Sequence, residues 1–170
     1  KQDRRVEFIH HALTGIQEQL EAIGRGIEVF YGFPVEVYKE LARTYTIANV
    51  YTNHDYEPYA VERDAEVAKT LSDRGIGLHT FKDQVIFEKD EVLTAAGSPY
   101  TVFTPYKRAW LKKLDRFYLQ PYPVQRYVRS LAAPPDARCP ALADLGFVPT
   151  NLSEVPVPTG MSGAQRLLED

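Results

Sequence analysis

Asn53-His54-Asp55-Tyr56-Glu57-Pro58-Tyr59-Ala60-Val61-Glu62-Arg63-Asp64 is the stretch whose reading decides the fold. It follows the apolar, strand-like segment Ile47-Ala48-Asn49-Val50-Tyr51-Thr52 and runs into a helix whose first turn holds Pro58. Proline suits that position, because its missing N–H is one that a first turn leaves unbonded anyway and its φ is already helical. A strand, a short polar loop and a proline-led helix make the opening of a βα unit. In open α/β sheets the loops at the carboxyl ends of strands are where ligands bind. This loop carries two acids, Asp55 and Glu57, and two aromatic rings, Tyr56 and Tyr59.

The pattern continues on both sides. Residues 4–23 read as an amphipathic helix, with Ile9, Leu13, Ile16, Leu20 and Ile23 aligned on one face. Asp3 is its expected N-cap, and Gly24 and Gly26 stop it. Ile27-Glu28-Val29-Phe30-Tyr31 predicts a short strand, and Pro34 opens a second helix with Val37, Tyr38, Leu41 and Ala42 on its apolar face. A second strand is expected over 46–52. A third helix covers 58–73, with Val67, Ala68 and Leu71 inward, Glu62, Glu66 and Lys69 outward, and Gly75 at its end. Ile76-Gly77-Leu78-His79-Thr80-Phe81 is the third strand. An α-β-α-β-α-β order implies crossover helices and a parallel sheet. The expected fold class is therefore α/β, a Rossmann-like parallel sheet with flanking helices. A doubly wound domain opens on a strand, whereas this chain opens on a helix, and three strands leave an unprotected edge. One or two strands are expected upstream of Lys1, with part of any ligand pocket on the first βα turn.

Residues 82–103 are less regular. Val85-Ile86-Phe87 is a candidate short strand and Gly97-Ser98-Pro99 a turn. Thr104-Pro105 reads as N-cap and first residue of a short helix with Tyr106, Ala109, Trp110 and Leu114. After Lys113 the character changes: eight of the twelve prolines fall in residues 115–170. That segment reads as a linker, extended over a surface rather than folded alone. Residues 160–170 start another helix.

Composition limits the function classes. The 170 residues suit one domain with a tail, and 44% hydrophobic and 25% charged residues are ordinary for a globular protein. A net charge of −3 does not advertise nucleic-acid binding. The lone Cys139 excludes a disulfide scaffold and points to a cytoplasmic setting. No apolar run approaches the roughly 18 residues of a membrane span. The start, Lys1-Gln2-Asp3-Arg4-Arg5, lacks a signal core and reads as an interior stretch of a longer protein.

Taken with Tyr100-Thr101-Val102-Phe103-Thr104-Pro105-Tyr106-Lys107-Arg108-Ala109-Trp110, the Asn53–Asp64 stretch resembles the amino-terminal α/β domain of the DNA photolyase/cryptochrome family. The likeness is closest to the bacterial class I photolyases that repair cyclobutane pyrimidine dimers. It implies an antenna domain over 1–114, then a linker and the start of an FAD-binding helical domain over 115–170. Leu142–Phe147 and Gly160–Leu168 match the family's entry into that helical domain. In the family, the helical domain holds FAD, binds damaged DNA and splits the dimer with light, while the α/β domain can hold a second, light-harvesting chromophore. The resemblance therefore implies no catalytic residue and no metal here, a monomer, no membrane, and damaged DNA as a partner through the helical domain alone.

It carries the antenna loop over as cofactor-binding candidates Asp55, Glu57, Tyr59 and Ala60. Asp55 and Glu57 fall where deazaflavin-type members set an acidic loop against the chromophore, and Ala60 where those members often have glycine. Folate-type members have an amide and an acid at the positions of Tyr59 and Ala60. The implied antenna is thus a deazaflavin or FMN rather than folate. Arg63-Asp64 matches a family pair read as structural. A cryptochrome photoreceptor and a stand-alone adenine-nucleotide-binding α/β module are the rival readings.

The same residues also have plainer readings. Asp55 and Glu57 read most simply as solvated acids at the positive end of a helix, and no neighbour in sequence makes them an acid/base pair. Tyr56 and Tyr59 stack on a planar ring or pack over an edge. His10 and His11 point about 100° apart on a helix and do not chelate together. His54 and His79 read as isolated, internally satisfied histidines, and Cys139 as passive. Trp110 and Tyr106, four apart, read as a packing pair. Lys107, Arg108, Lys112 and Lys113 read as a solvated face.

Overall fold

Asn49–Asn53 (β1) and Gly77–Phe81 (β2) form a two-stranded parallel sheet, in register from Asn49 opposite Gly77 to Asn53 opposite Phe81. The computed structural model describes residues 1–136 and 138–169. Between the strands runs the crossover helix α3 (Pro58–Ser72); α1 (Arg4–Glu21) and α2 (Pro34–Thr44) precede them, and α4 (Phe103–Lys113) and α5 (Gly160–Glu169) follow. The fold class is α/β, as expected. The chain divides into two compact units, Gly32–Tyr122 and Lys1–Tyr31 with Pro123–Asp170.

The first of these holds the sheet. Its core is Val67 and Leu71 of α3 with Ile76 at the mouth of β2, and Leu71 is fully buried. Val35, Tyr38 and Ala42 of α2 close on that cluster, with Ile47, Val50 and Leu78 from the strands. The apolar faces of α2 and α3 meet the same face of the sheet. The other face stays open: Tyr51, His79 and Phe81 are exposed and stack on one another at 5.0 and 6.3 Å. Gly75 turns the chain from α3 into β2 at φ 71°, a left-handed conformation that a Cβ penalises.

In the other unit α1 is capped by Asp3, whose carboxylate accepts from the Arg5 N–H at 2.9 Å. Along one side of α1 runs a polar row that fixes the proline-rich chain. The Glu7 carboxylate accepts from the Thr150 backbone N–H at 2.8 Å and from the Thr150 hydroxyl. His10 Nε2 donates to the Pro140 carbonyl at 2.9 Å, and Gln17 Oε1 accepts from the Cys139 N–H at 2.9 Å. Glu7 and Gln17 are the buried residues of α1, while Ile9, Ile16 and Ile23 are exposed. The periodicity located the helix correctly, but this unit packs its polar row rather than its apolar one. Proline-rich chain explains why: it exposes carbonyls and isolated N–H groups that need side-chain partners, since it makes no ladder of its own. The helix expected from residue 160 is α5; Asp170 lies outside the described residues.

Three expectations are corrected. Ile27–Tyr31 forms no strand. Its unit contains no strand among the described residues, and the chain against Gly26 is Pro134-Pro135, so close that a Cβ on Gly26 would lie 2.6 Å from Pro134 Cα and Pro135 Cδ. Prolines offer no N–H to a ladder. Val85-Ile86-Phe87 forms no strand, and Ile86 and Phe87 lie in a bend. Helix α4 begins at Phe103 with Val102 as N-cap, so Pro105 sits inside the first turn, where its missing N–H still costs nothing.

Two outcomes follow from this packing. Leu71→Ala empties the centre of the sheet unit and should cost about 2–5 kcal/mol by urea unfolding. The hydrogen bonds from Thr150 hold the Glu7 carboxyl below the usual range, outweighing its burial. A carboxyl lowered on folding stabilises fully above its unfolded value of about 4.3 and loses that contribution as pH falls through the folded value. Thermal melts of wild type and Glu7→Gln should therefore differ most near neutral pH, with the gap closing as pH falls below about 4.

Candidate functional site at the carboxyl ends of the strands

Parallel pairing delivers the ends of β1 and β2 to the same edge, and the chain beyond each strand is locked there. The His54 N–H donates to the Phe81 carbonyl at 2.6 Å. The His54 ring lies between two partners, Nδ1 at 2.5 Å from Glu88 Oε1 and Nε2 at 2.8 Å from the Thr80 hydroxyl. With Nδ1 carrying the proton, the ring donates to the carboxylate and accepts from the hydroxyl, so both nitrogens are satisfied. Asp55 Oδ1 accepts from the Glu57 N–H at 3.1 Å, an Asx turn that delivers the chain to Pro58. Glu57 stands at the N-cap without a side-chain bond, and Pro58 is the first helical residue, as the sequence predicted.

Beyond β2 the chain turns through a short 3-10 segment, Lys89–Glu91, capped reciprocally by Glu88 and Glu91. Glu91 accepts from the Glu88 N–H at 2.6 Å and pairs with Lys82 at 2.7 Å, while its carbonyl accepts from Lys113 of α4. Burial works to raise the Glu88 carboxyl, but the hydrogen bond from His54, with Lys89 behind it, holds it below the usual range. The Lys82 ammonium and the Glu88 N–H likewise hold Glu91 low. Partial burial and the neighbouring Glu88 carboxylate push the Tyr56 phenol up. Under this network lies Phe87, buried, with Trp110 at 5.4 Å and Tyr118 at 4.8 Å, both edge-on. Lys82 and Lys113 sit 5.9 and 5.2 Å from its ring centre, so each ammonium covers an aromatic face while Lys82 serves the Glu91 carboxylate and Lys113 the Glu91 carbonyl.

The candidate residues separate. Asp55 is half-buried and turned inward onto its own loop, and Glu57 is exposed. Tyr59 is 66% exposed and lines a groove of about 420 Å3 with Phe33, Val35, Glu36, Glu62 and Arg63. Ala60 is 2% exposed and faces the interior, so its contribution to any site is its small size behind the loop. Arg63 bonds the adjacent Asp64 at 2.8 Å. Sequence reading paired Trp110 with Tyr106; instead Trp110 packs on Phe87, and Tyr106 meets Tyr100 at 6.1 Å. His54 is satisfied but not isolated, and Lys113 is tied to Glu91 rather than free on a solvated face. Glu88, Lys82 and Glu91 were missed. No local spacing could have found them, because Glu88 lies 34 residues from His54.

The sequence matches the family model described as DNA photolyase over residues 1–127. The chain belongs to the DNA photolyase family. Among curated relatives, a deoxyribodipyrimidine photo-lyase from Halobacterium salinarum is 31% identical over 98% of this chain and 34% of its own length. An uncharacterized 31.6 kDa protein from Synechococcus is 39% identical over 62% of this chain and 37% of its own length. The chain thus spans about a third of the length of these relatives. A crystal structure of a class III photolyase from Agrobacterium tumefaciens superposes with a TM-score of 0.73, at 24% identity, over 96% of this chain and 34% of that one. That likeness establishes the photolyase amino-terminal Rossmann-like fold. No described helix is long and apolar enough to cross a membrane.

Phe87→Ala should remove the floor of the strand-end network at a cost of about 3–5 kcal/mol. Because Trp110 is the only tryptophan, its emission should shift to longer wavelength in the folded variant.

Proposed function

We propose that this chain is the light-harvesting antenna portion of a cytoplasmic, FAD-containing photolyase, a lyase that uses light to repair cyclobutane pyrimidine dimers in damaged DNA. The observation that carries the proposal is the ordered loop His54–Glu57 at the carboxyl end of a parallel strand, in a chain matching the family over residues 1–127. On this reading residues 1–114 are the antenna domain, and 115–170 lead into a helical domain that holds FAD and the DNA site.

The residues suit a planar chromophore. Phe33 and Tyr59 are exposed rings lining a groove of about 420 Å3, within the range that takes a small-molecule ring system. The acids of the groove choose among chromophores. Glu36, Glu62 and Glu66 outnumber the cations beside them, since Arg63 is already bonded to Asp64 and Lys39 to Glu36. A terminal phosphate would meet net repulsion there, so a phosphate-free deazaflavin fits better than FMN. Nothing at Tyr59 or Ala60 supplies the amide and acid of a folate clamp. Tyr59 would stack on the ring, Asp55 and Glu57 would order the loop beside it, and Ala60 would let the backbone approach. A bound antenna chromophore absorbs light and passes the energy to the flavin.

The test is the absorption spectrum of the purified protein with mass spectrometry of the extract. A deazaflavin without phosphate is the expected result. A folate in the extract, or adenine-nucleotide binding with no chromophore of any kind, would overturn the antenna assignment.

A further inference from the structure

We propose that His54 is a positioning residue. By bonding Glu88 through Nδ1 and Thr80 through Nε2, it holds the loop Asp55-Tyr56-Glu57 in the one conformation that meets a planar chromophore. The inference rests on the antenna reading for its ligand, but not for its geometry.

Three segments distant in sequence meet at this ring. The His54 backbone is fixed to Phe81, one nitrogen reaches back to β2, and the other reaches a half-buried carboxylate in the segment before α4. Glu88 is not free to follow the loop. Its own N–H is bonded to Glu91, and Glu91 is bonded in turn by Lys82 and Lys113. The carboxylate is therefore a fixed post: His54 bonds it at 2.5 Å, with the Tyr56 phenol beside it, and the other side of the same ring bonds Thr80. The contact from Asp55 Oδ1 to the Glu57 N–H lies within the loop and shapes it without anchoring it. A charge-assisted bond to a half-buried carboxylate is the strong kind. Losing it frees the loop while leaving the core of Val67, Leu71 and Ile76 untouched.

The two bonds can be separated by substitution. Asparagine places an amide N–H where Nδ1 stood and keeps the Glu88 bond; glutamine reaches toward Thr80 instead; leucine makes neither. Amide hydrogen exchange on the full 170-residue chain reads the loop at Tyr56 and Glu57, and reads the core at Val67 and Leu71. His54→Leu and His54→Gln should speed loop exchange roughly tenfold, with His54→Asn near wild type and core protection unchanged in all three. Riboflavin, a phosphate-free planar probe, should bind His54→Leu roughly tenfold more weakly than wild type and His54→Asn nearly normally, read by flavin fluorescence.

Loop exchange in His54→Leu within about twofold of wild type would overturn the proposal. So would equal behaviour of the asparagine and glutamine variants, or loss of core protection together with the loop, which would make His54 a residue of the fold rather than of the loop. Wild-type protein that leaves riboflavin unbound would count against the antenna reading alone; the exchange pattern would then decide the role of His54.

Discussion

The register of two five-residue strands governs everything else in the sheet unit. Setting Asn53 opposite Phe81 puts His54 one residue beyond the strand end and Thr80 one residue before it, at the same edge. A one-residue slip would turn Thr80 to the opposite face and leave the His54 ring with a single partner. Register in turn is held by the crossover: α3 must leave β1, bury Val67 and Leu71 against Ile76, and return within a length that Gly75 ends sharply. Core packing and site geometry are thus one constraint, and the loop is ordered because the helix behind it has no freedom to shift.

The helices and their boundaries were legible because their determinants are local. Asp3, Pro34, Pro58 and Gly75 act through the backbone of their own turn, and the structure uses all four as their chemistry dictates. The two strands that form were legible as well, being apolar runs bounded by turn residues. Ile27–Tyr31 has the same local signature and fails as a strand, because a strand is defined by a partner and a run of five residues does not encode one. The chain beside Gly26, where the run begins, is a diproline. Which face of α1 its unit covers was not legible, for a related reason. Periodicity reports which side of a helix is apolar, not which side its own unit covers, and here hydrogen-bonding need in the proline-rich chain decided the matter.

The strand-end network lay beyond sequence reading. His54, Lys82, Glu88, Glu91 and Lys113 are unremarkable one by one, and charged residues at these spacings are usually solvated. Their pairing depends on the two strand ends being brought together, a tertiary fact. The loop acids, by contrast, were visible from the sequence because they sit in the motif itself; Asp55 turns inward to shape the loop, while Glu57 is exposed.

One consequence concerns the division of labour between rigid and adaptable groups. Carboxylates at a ligand edge are costly when free, since each would have to be desolvated as a ring system docks. Glu88 and Glu91 avoid that cost because cations and backbone N–H groups already satisfy them, and Phe87 beneath gives the ammonium groups an aromatic face. The groove lined by Phe33 and Tyr59 is different: its rings are exposed, its Glu36 is paired with Lys39, and it lies along the first turns of α2 and α3. The rigid network sets where the loop stands, and the exposed rings supply the contact area. A planar, uncharged molecule asks for this combination, because stacking supplies its affinity and a preorganised edge spares the entropy of ordering a loop on binding.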